Sequence, residues 1–467
     1  MPQESGSLTR TYMAFEASFN TLPGTVKGYV IPVTDNKLAG QQEQSASKVL
    51  SGHVDATAPD RGNLNVAGDI NVPVDAHSFG LHLRHMFLLP ASTVVAAKAL
   101  TNGAVVNKGS GKVGIPCTAH GLAKGAPVVI EGTTHYDGAH VLQPETGPNE
   151  LVILATYTAE TVADTDTVTL ARQITLDAGS MVDKGGGLVG LPCAGHGLPC
   201  GAEIVVDGTT NYDGTYTLKR GTGTSELVIP ATFTSETLAG DETVTARFHD
   251  HVYKVSNAQT PSAAFEREFP SIPAVFRNGG VKANQCKLTI GGSGEIIATM
   301  TELGAGESSP DGLMDEAPVR FPLHKFGQFH ASLSVDGAKV PGRFTELALT
   351  LNLNQAGEFT IGDAGQLGDI SRGAMESGGT LTGLFKDADY ADKALLQTRL
   401  AVGIHLVNGG YSLGLLFPEA ELSRATPPVE GPQGVKENYS IACFRDTNAA
   451  ESSVVVTLRN EIKTWEE

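Results

Sequence analysis

The sequence predicts a mainly β fold, and three observations lead to this class. Its 467 residues include 55 glycines and 24 prolines, a composition typical of short strands joined by tight turns. Apolar and polar residues alternate in short runs, for example over 347–353. Helical spacing of apolar residues follows a strand in two places, near residues 79–87 and 387–396. A chain of this length is expected to form roughly three or four domains.

The first of these two places predicts a strand followed by a short helix. Apolar residues alternate over 66–74, and Asp75 then stands at a position suited to a helix N-cap. His82 and His85 flank the apolar stripe and are expected at solvated or interface positions. Residues 380–396 repeat the arrangement, so we interpret the two places as copies. The residues of the first helix at helical spacing are Phe79, Leu83, Met86 and Phe87.

A long polar stretch precedes each copy. Residues 36–62 follow a strand predicted over 25–34, and residues 355–379 follow the alternating strand 344–353. Both stretches are rich in glycine and polar residues and exceed the length of an ordinary hairpin turn. We therefore interpret them as long loops, which in compact domains are usually functional or mobile.

The middle of the chain contains an internal sequence repeat. Residues 113–122 return as 189–198, and residues 132–138 return as 208–214. The second copy follows the first at the same interval at each match. A gapless repeat with glycines at its turns predicts two copies of one small β-module, each a barrel of about five or six strands.

The order of elements before the repeat resumes after it. Each half of the remaining chain predicts a strand, a long loop, a second strand, a helix and further strands. We therefore divide the chain into two units of one fold, the first of which is interrupted by the modules. The predicted boundaries are 1–108 and 248–305 for the first unit, 109–172 and 173–247 for the modules, and 306–467 for the second unit.

The sequence does not predict an active site. It has no Gly-x-Ser-x-Gly elbow in a suitable context, no His-Glu-x-x-His and no Walker lysine. Cys117-x-x-His120 and Cys193-x-x-His196 could each be half of a zinc site, but two ligands are short of the usual four. We favour turns in which each imidazole binds the backbone. Catalytic, cofactor-binding and metal-binding residues are therefore predicted to be absent, and the protein is predicted not to be an enzyme.

Charge and composition restrict partners and location. The chain has 51 acidic and 33 basic side chains and a net charge of −18, which argues against binding DNA by phosphate neutralisation. Five scattered cysteines do not predict a disulfide framework. The sequence shows neither a membrane span nor a signal peptide. We expect synthesis and assembly in a cytoplasm, without a membrane partner.

The strand 62–75, the helix start 78–83 and the strand pair 279–300 combine strands and glycines in a distinctive order. These residues resemble segments of the major tail tube proteins of long-tailed bacteriophages. The likeness extends over about residues 1–100 and 248–467. In that family a β-sandwich with one flanking helix forms rings, and the rings stack into the tube through which DNA leaves. The inserted modules are similar to small FCCH-type β-barrels.

The resemblance implies a structural role in the virion tail. Two tube units per chain imply homotrimeric, pseudo-hexameric rings that stack into a non-contractile tail tube for DNA ejection, with the modules on its exterior. The implied partners are further copies of the chain, tail tip and tail terminator proteins, and, in the lumen without specific binding, tape measure protein and DNA. The long loops supply the candidates for contacts within and between rings: Gln41, Gln42, Gln44, Lys48, Arg61, Gln366, Asp369 and Arg372.

A DNA conduit should not bind phosphates, because each contact would add affinity and slow transit. The excess of acidic residues suits a lumen of the same charge as DNA. We therefore expect a lumen lined mostly by acidic and small polar side chains, without a continuous basic stripe.

Two other classes of protein explain the sequence less well. A secreted or surface β-module adhesin or carbohydrate-binding protein would account for the modules. Such proteins usually have a secretion signal or aromatic platforms, whereas Trp465 is the single tryptophan of this chain. A β-rich hydrolase would require a catalytic triad or a metal set.

Overall fold

Several packed β-sheets form the body of the protein, two of which enclose a helix, and a pair of small β-modules is attached to the body. Strands dominate and two α-helices are present, which confirms the mainly β class. No helix of the described ranges is long and apolar enough to cross a membrane. The computed structural model describes residues 4–50, 52, 54–55, 57–429, 431–447 and 449–466.

The chain begins in a first unit (unit 1) with five strands, a helix and a sixth strand. The fifth strand is long because its first part belongs to a hairpin and its second part to the body. The bounds are β1 Arg10–Phe15, β2 Tyr29–Ile31, β3 Asp35–Asn36, β4 Ala39–Ser45, β5 Asp60–Pro73, α1 Phe79–Phe87 and β6 Ala91–Val94.

The inserted modules follow. Their strands are short, apart from one that the two modules share. In the first module these are β7 Lys98–Ala99, β8 Gly103–Ala104, β9 Val106–Gly109, β10 Lys112–Pro116, β11 Pro127–Glu131, β12 Gly138–Val141, β13 Glu150–Leu154 and β14 Thr161–Val162, followed by the shared β15 Thr167–Thr175. The second module continues with β16 Gly179–Ser180, β17 Val182–Gly185, β18 Leu188–Pro192, β19 Glu203–Asp207, β20 Gly214–Thr217, β21 Glu226–Pro230, β22 Thr237–Leu238 and β23 Thr243–Arg247.

The chain then completes unit 1 and forms a second unit (unit 2). The remaining strands of unit 1 are β24 His249–Lys254, β25 Ala263–Phe269, β26 Ala274–Ile290, β27 Ile297–Gly304 and β28 Gly306–Ser308. The short strand β29 Val319–Arg320 lies in the connection to unit 2. Unit 2 comprises β30 Ala331–Val335, β31 Ala338–Lys339, β32 Phe344–Asn352, β33 Gln355–Phe359, β34 Leu367–Arg372, β35 Glu376–Leu384, α2 Asp389–Leu395, β36 Leu400–Asn408, β37 Tyr411–Leu422, β38 Lys436–Phe444 and β39 Val455–Asn460.

One antiparallel sheet runs through both units, and we call it the central sheet. Its spatial order is β3, β5, β27, β26, β32, β35 and β38. The units meet at its middle, where β26 pairs with β32 from Gln285 opposite Asn352 to Ile290 opposite Leu347. A second sheet, the covering sheet, has the order β30, β36, β37, β39, β24 and β6.

The two units repeat one pairing pattern at a constant spacing. In unit 1, residues 66–73 pair with 297–304, and in unit 2, residues 377–384 pair with 436–443. Each ladder has the same length and leads into a helix. Position 66 of β5 is therefore equivalent to position 377 of β35, and the same interval relates every later pair of positions on these strands. The predicted duplication of a strand–helix unit is present in the structure.

Helix α1 fills the space between the two sheets. Gly80 allows the chain terminus to pack on this helix, since an added Cβ would overlap the indole of Trp465. The indole Nε1 donates to the carbonyl oxygen of His77 over 3.0 Å. Apolar side chains of α1 meet those of both sheets in the core: Phe79, Leu83, Met86, Cys286, Leu288, Leu349, Leu351, Leu413 and Leu415.

The two modules form one body with two hydrophobic cores. Strand β15 pairs with β11 of the first module and with β23 of the second, so a single sheet runs through both. A three-stranded sheet covers each core on its other side, namely β9–β10–β13 and β17–β18–β21. The prediction of closed barrels is wrong, because these sheets stay open among the described residues.

The module pair extends the covering sheet and also contacts the body. Strands β6 and β24 pair with each other, and Val95 N donates to the Phe248 carbonyl oxygen over 2.8 Å, so the ends of the insertion are adjacent. Arg220 of the second module binds the Asp315 carboxylate at 2.8 Å and the Gly28 carbonyl oxygen at 2.9 Å. These contacts hold the modules against unit 1.

Both stretches predicted as long loops form β-hairpins instead. Hairpin 1 consists of β4 and residues 60–67 of β5, and hairpin 2 consists of β33 and β34. Their strands are polar because much of their surface is exposed, and the apolar alternation that signals a half-buried strand is therefore missing.

The start of α1 also differs from the expectation. Ser78 is the N-cap residue, and Asp75 lies three residues earlier. The Asp75 carboxylate accepts hydrogen bonds from the backbone N–H groups of His77 at 2.7 Å and Ser78 at 2.9 Å. The prediction of Asp75 as the N-cap is wrong, although its carboxylate still orders the turn that leads into the helix.

Candidate functional surfaces

The face of the central sheet that points away from the core is exposed and polar. Side chains alternate along each strand, so every second residue reaches this face. Most of these residues carry hydroxyl, amide or small side chains, and we call the surface the threonine face. Its members include Ala67, Asn71, Gln285, Thr289, Thr299, Thr301, Ala348, Thr350, Asn352, Thr380, Thr382, Asn438 and Ser440.

Hydrogen bonds between neighbouring strands order this face. Thr299 Oγ1 donates to Asn71 Oδ1, and Thr301 Oγ1 donates to Asp69 Oδ1, each over 2.6 Å. Asn71 Nδ2 in turn donates to Asp35 Oδ2 over 2.9 Å. These bonds satisfy the two threonine hydroxyls and the Asn71 amide, whereas Asp35 Oδ1 is buried without a partner in the part of the chain that the structure describes.

The charges on the threonine face nearly balance. Its acidic residues include Asp35, Asp69, Glu346 and Glu376, and its basic residues include Lys37, Lys287 and Lys436. Isolated lysines beside acids offer little counterion release to a polyanion. The surface therefore offers little affinity to a polyanion.

Hairpin 2 is docked on unit 1 through two polar side chains. Gln355 Nε2 donates to Thr260 Oγ1 over 3.0 Å, and the glutamine is 8% exposed. Arg372 Nη1 donates to the carbonyl oxygens of Ser256 at 2.9 Å and Ala258 at 3.4 Å. Both contacts fix the base of hairpin 2 to the segment that leads into β25.

An apolar cluster and a lysine extend the same docking contact. Leu367 and Ile370 of hairpin 2 are buried together with Ala305 of unit 1. Lys282 of β26 donates to the Ile370 carbonyl oxygen and lies 3.8 Å from the Asp369 carboxylate. Hairpin 2 is thus bound along its length by the neighbouring unit.

The structure brings three of the eight predicted contact residues to this place. Asp369 and Arg372 take part in the docking contact, and the Gln366 side chain lies against Gly306. The other five are exposed. Gln41, Gln42, Gln44 and Arg61 lie on hairpin 1, and Lys48 lies in the segment that connects its two strands. Gln42 donates to the Gly62 carbonyl oxygen over 3.1 Å.

Sequence reasoning missed Gln355. The signal that could have identified it is the constant spacing between equivalent strands of the two units, which aligns Gln355 with Gln44. The same spacing aligns Arg372 with Arg61. Contacts of the predicted residues between copies of the chain remain predictions.

The Cys-x-x-His segments form turns, as favoured from the sequence. His120 Nε2 lies 2.6 Å from the carbonyl oxygen of Gly147, and Leu122 N donates to Nδ1 over 3.0 Å. His196 makes the same two contacts in the second module. Within the described ranges, no group of three or more His, Cys, Asp or Glu residues could hold a metal ion.

A carboxyl group and two imidazoles are buried around α1. His82 and His85 are 1% and 0% exposed, so the prediction of solvated or interface positions is wrong, because the sheets and the chain terminus enclose the helix. Burial lowers the pKa of His82 to about 3 and that of His85 to about 4. Burial also raises the pKa of the Glu302 carboxyl to about 8. All three groups are therefore uncharged near neutral pH.

Replacement of Glu302 by Gln should remove a contribution to stability that decreases as the pH rises. Below the unfolded pKa of about 4.3, the wild-type carboxyl is neutral in both states. Between that pH and about 8, this carboxyl is ionised only in the unfolded chain, so the contribution of Glu302 to wild-type stability falls by about 1.4 kcal/mol per pH unit. The variant should therefore gain melting temperature over wild type as the pH rises from 4.5 to 8.

Thermal unfolding across this pH range measures the effect. Glu346→Gln, on the exposed face, is the matched control and should follow wild type. His82 and His85 act alike in all three proteins, so the difference isolates Glu302. Parallel pH profiles for Glu302→Gln and wild type would contradict the assignment.

Comparison with known proteins gives one informative match. A family model described as a phage tail tube protein matches residues 6–443. No curated protein matches the chain. Among solved structures, phage phi92 endosialidase is similar with 9% identity over 81% of this chain and 70% of that one, at a TM-score of 0.18. A TM-score this low carries no argument about fold or function.

Proposed function

Because the chain belongs to the phage tail tube family, we propose that it assembles into rings that stack into the tail tube and conduct DNA during ejection. Membership makes the chain a structural component of the virion tail, in a family that is not one of enzymes. The observation that carries the finer proposal is the central sheet, which is continuous across both units. Among the described residues, the outer sides of β3 and β4 and of residues 436–439 of β38 have no strand partner.

The internal junction indicates how these edges could join. At this junction, where the two units meet within the chain, residues 285–290 of β26 pair with β32. The two preceding residues that pair with β27, Lys282 and Ala283, are equivalent to Glu421 and Leu422 of β37, which pair with β38 in the same register. Strands β3 and β4 pair with β5 as β32 pairs with β35, so β3 and β4 are the equivalents of β32. In β32 the outer edge is paired with β26, whereas the same edge of β3 and β4 faces outward. Unpaired sheet edges must be covered or paired. A second copy can repeat the internal junction there and so close a ring.

The arrangement of layers supports the threonine face as the lumen. The covering sheet lies on the opposite side of the central sheet, and the module pair extends that covering sheet. When central sheets join edge to edge, the threonine face and the layer that carries the modules therefore lie on opposite sides of the ring wall. The modules would then decorate the exterior, and the polar, nearly charge-balanced face would line the bore.

Three chains should form each ring, since the family builds its rings from six units and each chain supplies two. We expect a homotrimer with pseudo-sixfold symmetry. Negative-stain images of the purified protein should show rings or tubes, and the native mass of one ring should equal three chains. Six chains per ring would contradict the stoichiometry, and monomers under all conditions of tube assembly would contradict the function.

Partners and location follow from the same proposal. The tube would form in the host cytoplasm, start at tail tip proteins, end at tail terminator proteins, and enclose tape measure protein and then DNA without specific binding. The projecting modules would obstruct a sliding sheath, which supports a non-contractile tail. We retain the likeness of the modules to FCCH-type domains as a proposal based on their His-Gly-Leu and Tyr-Asp-Gly segments.

A further inference from the structure

We propose that hairpin 1 docks on unit 2 of a second copy of the chain through Gln44 and Arg61, as hairpin 2 docks on unit 1 within the chain. This inference rests on the proposed assembly into rings and adds the donor side chains and the surface that accepts them. Its basis is a comparison of the two hairpins in one molecule.

The two hairpins carry the same residues at the same paired positions. Gln44 is opposite Arg61 in hairpin 1, and Gln355 is opposite Arg372 at the equivalent positions of hairpin 2. Gly62 follows Arg61, and a Cβ added to it would lie close to the carbonyl oxygen of Glu43. Gly373 follows Arg372, and a Cβ added to it would lie close to the carbonyl oxygen of Asn354. The local backbone geometry is therefore shared, and the two side chains of each hairpin leave the sheet in the same way.

The surroundings of these residues differ sharply. Gln355 is buried and Arg372 is half-buried, because unit 1 covers them. Gln44 and Arg61 are exposed. In hairpin 2, the glutamine and the arginine form the docking contact. In hairpin 1, the equivalent residues have no unit packed against them in the described part of the single chain. A second copy of the chain supplies that unit.

The accepting surface in unit 2 can be located by register. Ala263 begins β25 opposite Val281, and Leu400 begins β36 opposite the equivalent Ala420. Counting back from these two residues aligns the accepting segment 256–260 of unit 1 with residues 393–397 of unit 2. These residues form the end of α2 and the turn after it.

The end of α2 suits an arginine. The last carbonyl groups of a helix have no partner within the helix, and their partial negative charge attracts a cation. Leu395 and Leu396 are 51% and 75% exposed there, and a docked hairpin would cover them. One internal contact has no counterpart, because the position equivalent to Lys282 is Glu421. The intermolecular contact should therefore depend more strongly on the arginine than the internal one does.

Assembly of the double variant Gln44→Ala/Arg61→Ala tests the donor side chains. Both residues are exposed, so the single chain should keep its wild-type melting temperature. The protein concentration at which half of the chains sediment as rings should rise at least about tenfold, since charge-assisted hydrogen bonds to backbone are lost at every junction. Lys48→Ala removes a charge from the same hairpin and should assemble as wild type does.

A cysteine pair tests the accepting surface directly. The internal contact between Gln355 and Thr260 corresponds to a contact between Gln44 and Gln397 of the next copy. Mild oxidation of Gln44→Cys/Gln397→Cys rings should give a covalent trimer on a denaturing gel, whereas either single variant should not form one.

The outcomes separate this inference from the function on which it rests. If wild-type chains form rings, the double variant assembles like Lys48→Ala and the cysteine pair stays monomeric, the docking contact is wrong while the tube function stands. If wild-type chains form neither rings nor tubes, both are wrong. Reduced assembly of the double variant together with a covalent trimer supports both.

Discussion

Tubes of the variant Thr350→Lys/Thr380→Lys will retain double-stranded DNA at low salt, whereas wild-type tubes will release it. Both threonines lie on the threonine face, at neighbouring positions of β32 and β35. Each chain adds two lysines, and successive rings repeat them along the bore. Because each phosphate contact releases a counterion, about six to ten such contacts change affinity by roughly 10³–10⁵ between 50 and 200 mM salt.

A filter-binding or ejection assay at several salt concentrations measures this effect. The control Val141→Lys/Val182→Lys adds the same charge to exposed positions on the modules, which are 54% and 45% exposed. The control should retain no DNA inside the tube. Equal retention by both variants would mean that the threonine face does not line the lumen.

Removal of the module pair should leave a chain that folds and assembles into narrower tubes. The deletion joins Val95 to residue 248 by an Asn-Gly turn, because β6 and β24 already pair at this point. Phe248 is buried in the core of the first module and is replaced by Thr in the deletion. We expect a melting temperature lower by several degrees, since the Arg220–Asp315 ion pair and the Glu203–Lys463 contact are lost.

Electron micrographs measure the outer diameter of the tubes, and circular dichroism measures whether the shortened chain is folded. Wild-type tubes provide the reference diameter. A deletion protein that is soluble and folded but forms no rings would show that the modules belong to the assembly interface rather than to the exterior.

Much of the fold could be predicted because it depends on local patterns. Alternating apolar residues predicted the strands that face the core, and the constant, gapless interval of the internal repeat predicted two equal modules. The turns at His120 and His196 were also predictable, since two ligands could not complete a zinc site. The duplication of the tube unit followed from the repeated strand and helix.

Other features depend on contacts between distant residues and left no local signal. The polar strands of the two hairpins show no apolar alternation, and only pairing over long distances reveals them. His82 and His85 are polar residues of a kind usually found at the surface, but they are buried on the helix between the two sheets. Strand β15 gives no sign in the sequence that the two modules share it.

The site was predicted in part for the same reason. The eight contact candidates were chosen as polar residues of two unpaired stretches, and three of them lie at an observed docking contact. Gln355 begins the second of these stretches and was missed because its role depends on Thr260, a residue 95 positions earlier. The partner of such a side chain lies in the other unit and can be identified only when the pairing register of the strands is known.

The covalent link between the units has a genetic consequence. Since one polypeptide contains both units, every unit 1 is synthesised together with one unit 2 and is joined to it through β26 and β32. The ratio of the two units, and their alternation in the proposed ring, are therefore fixed by a single reading frame. Two separate genes would need matched expression and a means of sorting like from unlike. The module pair, carried by unit 1 alone, is accordingly inherited in a ratio of one pair to every two units.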